Sequence, residues 1–123
     1  MNNEKGFTTV EILSTLVIVV IIISGILSAY TAIQKTSKLT NEKFIANMIA
    51  TNQMEEMRSN TLKGNVATKT GQVTEKDTIY TYNVTATETS RSPSGTTLFL
   101  LKSSVSWGVN THTVEINSYI TTR

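Results

Sequence analysis

Residues 12–29, ILSTLVIVVIIISGILSA, run for 18 positions without a charge or a proline. The run is too long for a strand, since strands rarely exceed about ten residues. As a helix rising about 1.5 Å per residue it would span about 27 Å, close to the thickness of a bilayer core. A transmembrane helix is the first expectation. A cleaved secretory signal is the rival. Two features stand against the rival: Lys5 in the leading segment is offset by Glu4, and in SAYTA Tyr30 interrupts the small residues that a signal peptidase reads.

About a quarter of the 123 residues is committed to this run and its flanks. The remainder can bury only a modest core alone. There is no cysteine, so no disulfide or thiolate metal site can staple it. A long helix packed on the small domain would supply the missing support. The net charge is +2 and the lysines are scattered, which does not make the clustered footprint of a nucleic-acid binder.

From Tyr30 to Arg58 there is neither proline nor glycine. Tyr30, Ile33, Phe44, Ile45, Met48 and Ile49 share a broad face at helical spacing, and Ala46, Ala50, Met54 and Met57 form a flanking stripe. A helix from Phe7 to Arg58 would be roughly 78 Å long. SNTLKG then supplies a stop, with Gly64 at the reversal.

Residues 61–76 read as loop. Three strands are expected after it. Residues 77–88 set Tyr80, Tyr82, Val84 and Ala86 on one face. Residues 96–109 do the same for Phe99, Leu101, Val105, Trp107 and Val109, and 112–120 for Val114, Ile116 and Ile120. Pro93 and Gly95 punctuate the first turn, Gly108 and Asn110 the second. The expected fold is α+β: a long N-terminal helix packed on a small antiparallel three-stranded sheet.

Glu11 stands alone at the mouth of the apolar run. Thr8-x-x-Glu11 fits a capping box, and a carboxylate suits the positive end of a helix dipole. A carboxylate beside hydrocarbon is also expensive and calls for a positive partner at the same depth. The α-amino group of a neighbouring, similar helix would serve.

The stretch GFTTVEILSTLVIVV resembles the N-terminal signature of type IV pilins and the pseudopilins of type II secretion. The resemblance implies that residues 1–6 are a prepilin leader, that a prepilin peptidase cuts between Gly6 and Phe7, and that Phe7 becomes N-methylated. It implies that Glu11 meets the N-terminal amine of an adjacent subunit. Residues 7–29 would be the transmembrane and filament-core half of the helix, 30–60 its amphipathic half, and 61–123 the sheet domain. The partners implied are other major and minor pilins, the membrane before assembly, and a membrane platform with a cytoplasmic ATPase. The subunit would begin as a single-pass membrane protein and end in an extracellular pilus or an envelope pseudopilus.

The chain departs from the major-pilin pattern at three places. Thr9 stands where the family carries a large apolar residue, Ser28 where many major pilins have a kinking proline, and the C-terminal cysteine pair is missing. ANMIATNQMEEMRS (46–59) and SVSWGVNTHTVEINSYI (104–120) resemble the helix end and closing hairpin of PilV-type minor pilins and I-type pseudopilins. The expected role is a minor pilin that starts the filament or sits at its tip; a pseudopilin of a secretion or competence system is the alternative.

No catalytic constellation is expected, nor a cofactor or metal. His112 is the sole histidine, Glu55 and Glu56 are adjacent and diverge on a helix, and the glycines lack phosphate-loop spacing. Asn83-Val84-Thr85 matches a glycosylation triplet that also arises by chance. A tip adhesin or a DNA-binding subunit is a further alternative: Tyr80, Tyr82, Trp107 and Tyr119 could stack bases beside Lys102, although the strand alternation turns most of them inward. A membrane-anchored exported protein that never assembles is the last.

Overall fold

The computed structural model describes residues 8–108 and 112–123. The expectations for Gly6, Phe7, Val109 and Asn110 lie outside the described residues. The chain divides into two compact units, Met1–Thr40 and Asn41–Arg123. Helix α1 (Thr9–Leu62) contributes to both.

In the first unit α1 carries the apolar run, and its side chains from Thr8 to Lys38 are exposed. The helix continues through Ser24 and Gly25. It is long and apolar enough to cross a membrane.

The second unit holds the rest of α1 and four strands: β1 (Lys69–Glu75), β2 (Thr78–Arg91), β3 (Thr97–Trp107) and β4 (His112–Thr122). They form one antiparallel sheet in the order β1-β2-β3-β4, a meander of sequence neighbours. The architecture is thus α+β as expected, with four strands rather than three. The extra strand, β1, falls inside the stretch read as loop. Its sequence KTGQVTE has a single large apolar residue, Val73, so the alternation is invisible. Its inward positions are filled otherwise. Lys69 reaches Glu56 on α1 with Nζ 2.6 Å from Oε2. Gly71 lies opposite Tyr82, and a Cβ at 71 would overlap the Tyr82 ring. The ring therefore covers the glycine and takes the space of a side chain.

The hairpin from β1 to β2 turns on Lys76 and Asp77, with φ of 48° and 63°. Both central residues lie in the left-handed region, as a type I′ turn requires, and the turn closes on the Glu75–Thr78 pair. Asp77, expected to open the strand, is a turn residue instead. Between β2 and β3, Gly95 N–H donates to the Ser92 carbonyl at 3.0 Å, and the strand register shifts between Glu88 and Ser90.

Helix α1 ends at Leu62, a turn beyond Arg58 where the apolar pattern fades. Its stop is a Schellman motif. Asn65 N–H donates to the Asn60 carbonyl at 2.9 Å and Gly64 N–H to the Thr61 carbonyl at 3.0 Å. Gly64 takes the left-handed φ of 83° that the motif needs.

Within this unit the helix buries Ile45, Ala46, Ile49, Ala50, Met54, Met57 and Thr61. This stripe contains the whole flanking set expected from the sequence, Ala46, Ala50, Met54 and Met57, and only part of the expected broad face. Ile45 and Ile49 are buried, but Phe44 and Met48 remain 68% and 47% exposed, on the side away from the sheet. Tyr30 and Ile33, grouped with them, are exposed as well. The sheet selects the stripe with small residues, because alanines let a helix approach. Ser103, fully buried on β3, donates from Oγ to the Ala50 carbonyl at 3.1 Å. The core gathers Met54, Met57, Val84, Phe99, Leu101 and Ile120, with Tyr82, Ala86 and Ile116 at its margin. The inward faces expected for β2, β3 and β4 are the ones observed.

Tyr80 is fully buried beside Trp107, ring centroids 5.9 Å apart. Its Oη has no hydrogen-bond partner. Burial raises its pKa above the ordinary 10.0, and Glu42 and Glu75 push it further in the same direction. A raised pKa in the folded state contributes stability that is full below about 10 and is lost as pH climbs through the folded value. Tyr80→Phe removes a hydroxyl that pairs with nothing, so the variant is expected to be more stable by about 1 kcal/mol near neutrality. It should also lose the part of the alkaline destabilisation that comes from Tyr80. Denaturant titrations at pH 7 and above 10, read by the single tryptophan, check both; a variant less stable than the parent at pH 7 contradicts the assignment.

Candidate functional site

The site begins at the first turn of α1. Thr8, just before the helix, offers its carbonyl to the N–H groups of Glu11 at 3.0 Å and Ile12 at 3.1 Å. Thr8 Oγ1 accepts from Glu11 N–H at 3.3 Å, which forms the threonine half of a capping box. Glu11 occupies the first turn and is exposed. It is the only charged side chain between Thr8 and Lys35.

Beyond it the helix surface is a cylinder of exposed aliphatic side chains from Ile12 to Leu27. Three hydroxyls in the run are absorbed by the backbone. Ser14 donates to the Val10 carbonyl, Thr15 to that of Glu11 and Ser24 to that of Val20, each at 2.8 Å. Such i−4 bonds let serine and threonine enter hydrocarbon without an open polar group. Ile12, Thr15, Leu16, Val19 and Val20 line a shallow apolar groove on one side of the helix. Glu11 is thus an acidic group at the rim of an otherwise neutral rod. Gly6 and Phe7, the other two residues of the expected site, lie outside the described residues.

The remaining candidates separate. Tyr80 and Trp107 are buried and Tyr82 faces the core, while Tyr119 and Lys102 lie on the outer face of the sheet. The four aromatics and the lysine expected to stack bases therefore do not share one platform. His112 opens β4, exposed, with its ring 5.4 Å from that of Trp107. Glu55 lies 3.9 Å from Arg58, and Glu56 pairs with Lys69. Among the described residues no group of three or more His, Cys, Asp or Glu side chains gathers as a metal site would need.

One link was not anticipated. Trp107 Nε1 donates to Glu42 Oε2 at 3.1 Å and ties the end of β3 to α1. In sequence Glu42 sits among other charges, Lys35, Lys38 and Lys43, and nothing singles it out. A buried tryptophan needs an acceptor for its N–H, and that need was the available signal.

Comparison of the chain with known protein families, curated proteins and solved structures returns no match.

Proposed function

We propose that this chain is a structural subunit of a type IV pilus, a minor pilin that helps start the filament or sits at its tip. The observation that carries the reading is Glu11. It is a lone carboxylate in the first turn of a membrane-length apolar helix, four positions after Phe7 of the Gly6-Phe7 pair in the sequence. The α+β arrangement, one long N-terminal helix packed on an antiparallel sheet, is compatible with a pilin-like fold.

In this reading the leader is cut after Gly6, and the new amine at Phe7 becomes a positive group at the depth of a neighbour's Glu11. The apolar helix holds the subunit in the membrane and then exchanges lipid for the helices of other subunits. The sheet unit stays in water. The role is non-catalytic; a cytoplasmic ATPase drives assembly. A pseudopilin of a secretion or competence system would use the same device, and the ANMIATNQMEEMRS segment suits either.

The test is the mass of the N-terminal peptide of the protein recovered from its native cell. A chain beginning with N-methylated Phe7 is expected. A chain beginning near Ala29 or Ala32 would mean ordinary secretion, and an intact Met1 a plain membrane anchor; either sinks the proposal.

A further inference from the structure

The two edges of the sheet are unlike. β1 is short, carries Lys69, and is followed by Lys76 in the turn. Short strands and lysines are the usual protection of an exposed edge. β4 is 11 residues long and has no proline, no lysine and no glycine. Its register with β3 runs unbroken from Thr97–Thr122 to Trp107–His112. Among the described residues no strand pairs with its other side. A long, regular, unprotected edge offers a row of backbone donors and acceptors to another strand.

The charges on β4 choose the occupant. An antiparallel pair of identical strands has one residue opposite itself. Centred on Glu115, the pair sets two carboxylates face to face. Centred on Asn117, it matches no charges. Centred on Tyr119, it places Glu115 opposite Arg123 at both ends, and the two Tyr119 rings meet in the middle. Tyr119 is 65% exposed on the outer face, although its register partner Leu100 is half-buried. Glu115 is already held by Lys102 at 3.0 Å and Asn117 at 3.4 Å, and both bonds fall on Oε1. These contacts, Lys102 first, lower its pKa and keep it charged. Opposite charges and aromatic pairs directly across strands are favourable, and like charges are not.

We propose that β4 pairs antiparallel with β4 of a second copy, in the register that sets Tyr119 opposite itself. The two sheets then continue as one of eight strands, with an outer-face ladder of Glu115–Arg123, Tyr119–Tyr119 and Arg123–Glu115. The proposal stands apart from the filament reading, since a plain membrane protein could pair in this way too.

The chain has no cysteine, so introduced thiols report the register without background. Full-length protein in detergent micelles would carry Tyr119→Cys, Asn117→Cys or Thr121→Cys. Directly opposed positions in an antiparallel pair lie about 4.5–5.5 Å apart at Cα, within disulfide reach. Mild oxidation is expected to link Tyr119→Cys chains to each other. Asn117→Cys and Thr121→Cys chains should stay monomeric singly and cross-link when mixed, with Tyr119 intact in both. Arg123→Glu should lower the mixed cross-link at least fivefold, with unchanged tryptophan emission as the sign of a folded unit. Absence of the mixed cross-link overturns the proposal. So does equal linkage at all three positions, which would mean random collision or pairing through the apolar helix.

Discussion

In the pilus role proposed above, chains carrying Glu11→Ala are expected to reach the membrane in normal amount and to be almost absent from assembled filaments. The substitution leaves the helix start standing, because the Thr8 hydroxyl and carbonyl still accept from the backbone N–H groups at positions 11 and 12. It leaves the apolar run untouched, so insertion is unaffected. What disappears is the only anion on the rod between Thr8 and Lys35. In the proposed role Glu11 pairs with a neighbour's N-terminal amine, and breaking one side of such a desolvated pair costs about 3–5 kcal/mol, roughly a hundredfold or more in occupancy. Glu11→Gln keeps the size and much of the polarity and should fail in the same way if charge is the point. Quantitative blotting of purified filaments against membrane fractions decides the matter. Equal incorporation of all three forms would mean that the Glu11 carboxylate has no part in assembly.

Ala50→Leu should be the most damaging single change in the sheet unit. Ala50 and Ala46 are fully buried, and the Ala50 carbonyl is already in hydrogen-bond contact with Ser103 on β3. A leucine has no room there without lifting the helix from the sheet, which also breaks the Ser103 bond. Overpacking costs about 1–3 kcal/mol, and loss of a buried hydrogen bond adds about 1. A small domain holds only about 5–15 kcal/mol in all, so the fraction folded falls steeply. Denaturant midpoints followed by Trp107 fluorescence measure the loss. Asn47→Ala, on the exposed side of the same helix turn, should stay within about 0.5 kcal/mol of the parent. Similar losses at 47 and 50 would contradict the packing described.

The parts of the fold that were legible are those in which one residue type dictates one outcome. Eighteen uncharged residues can only be a helix of membrane length. Alternation of Tyr80, Tyr82, Val84 and Ala86, or of Phe99, Leu101 and Val105, fixes both a strand and its inward face. β1 escaped because its inner face is built from a lysine stem, a glycine under a borrowed ring and one valine. None of these announces a strand. Its turn escaped because Lys76 and Asp77 adopt a geometry that glycine and asparagine usually mark. The flanking stripe Ala46, Ala50, Met54 and Met57 was legible and is buried whole, whereas the broad face was misjudged at Phe44 and Met48 because size was read as burial. The sheet prefers Ala46 and Ala50 at its surface, and this rotates Phe44 and Met48 outward. In the first unit the Thr8 cap was readable because a cap is local. The group that would answer the Glu11 charge comes, in the proposed role, from another chain, and nothing within one sequence can display it.

The bond from Trp107 to Glu42 spans 65 residues, and that from Ser103 to Ala50 spans 53. Synthesis runs at about 5–20 residues per second, so the helix surface is finished about 3 to 13 seconds before its cover exists. During that interval Ile45, Ile49, Met54 and Met57 form a sticky strip on a nascent chain. The sheet itself has no comparable delay, because each strand pairs with the one made just before it, and such local topologies fold quickly. The vulnerable moment in the life of this protein therefore falls during translation, and it belongs to the helix.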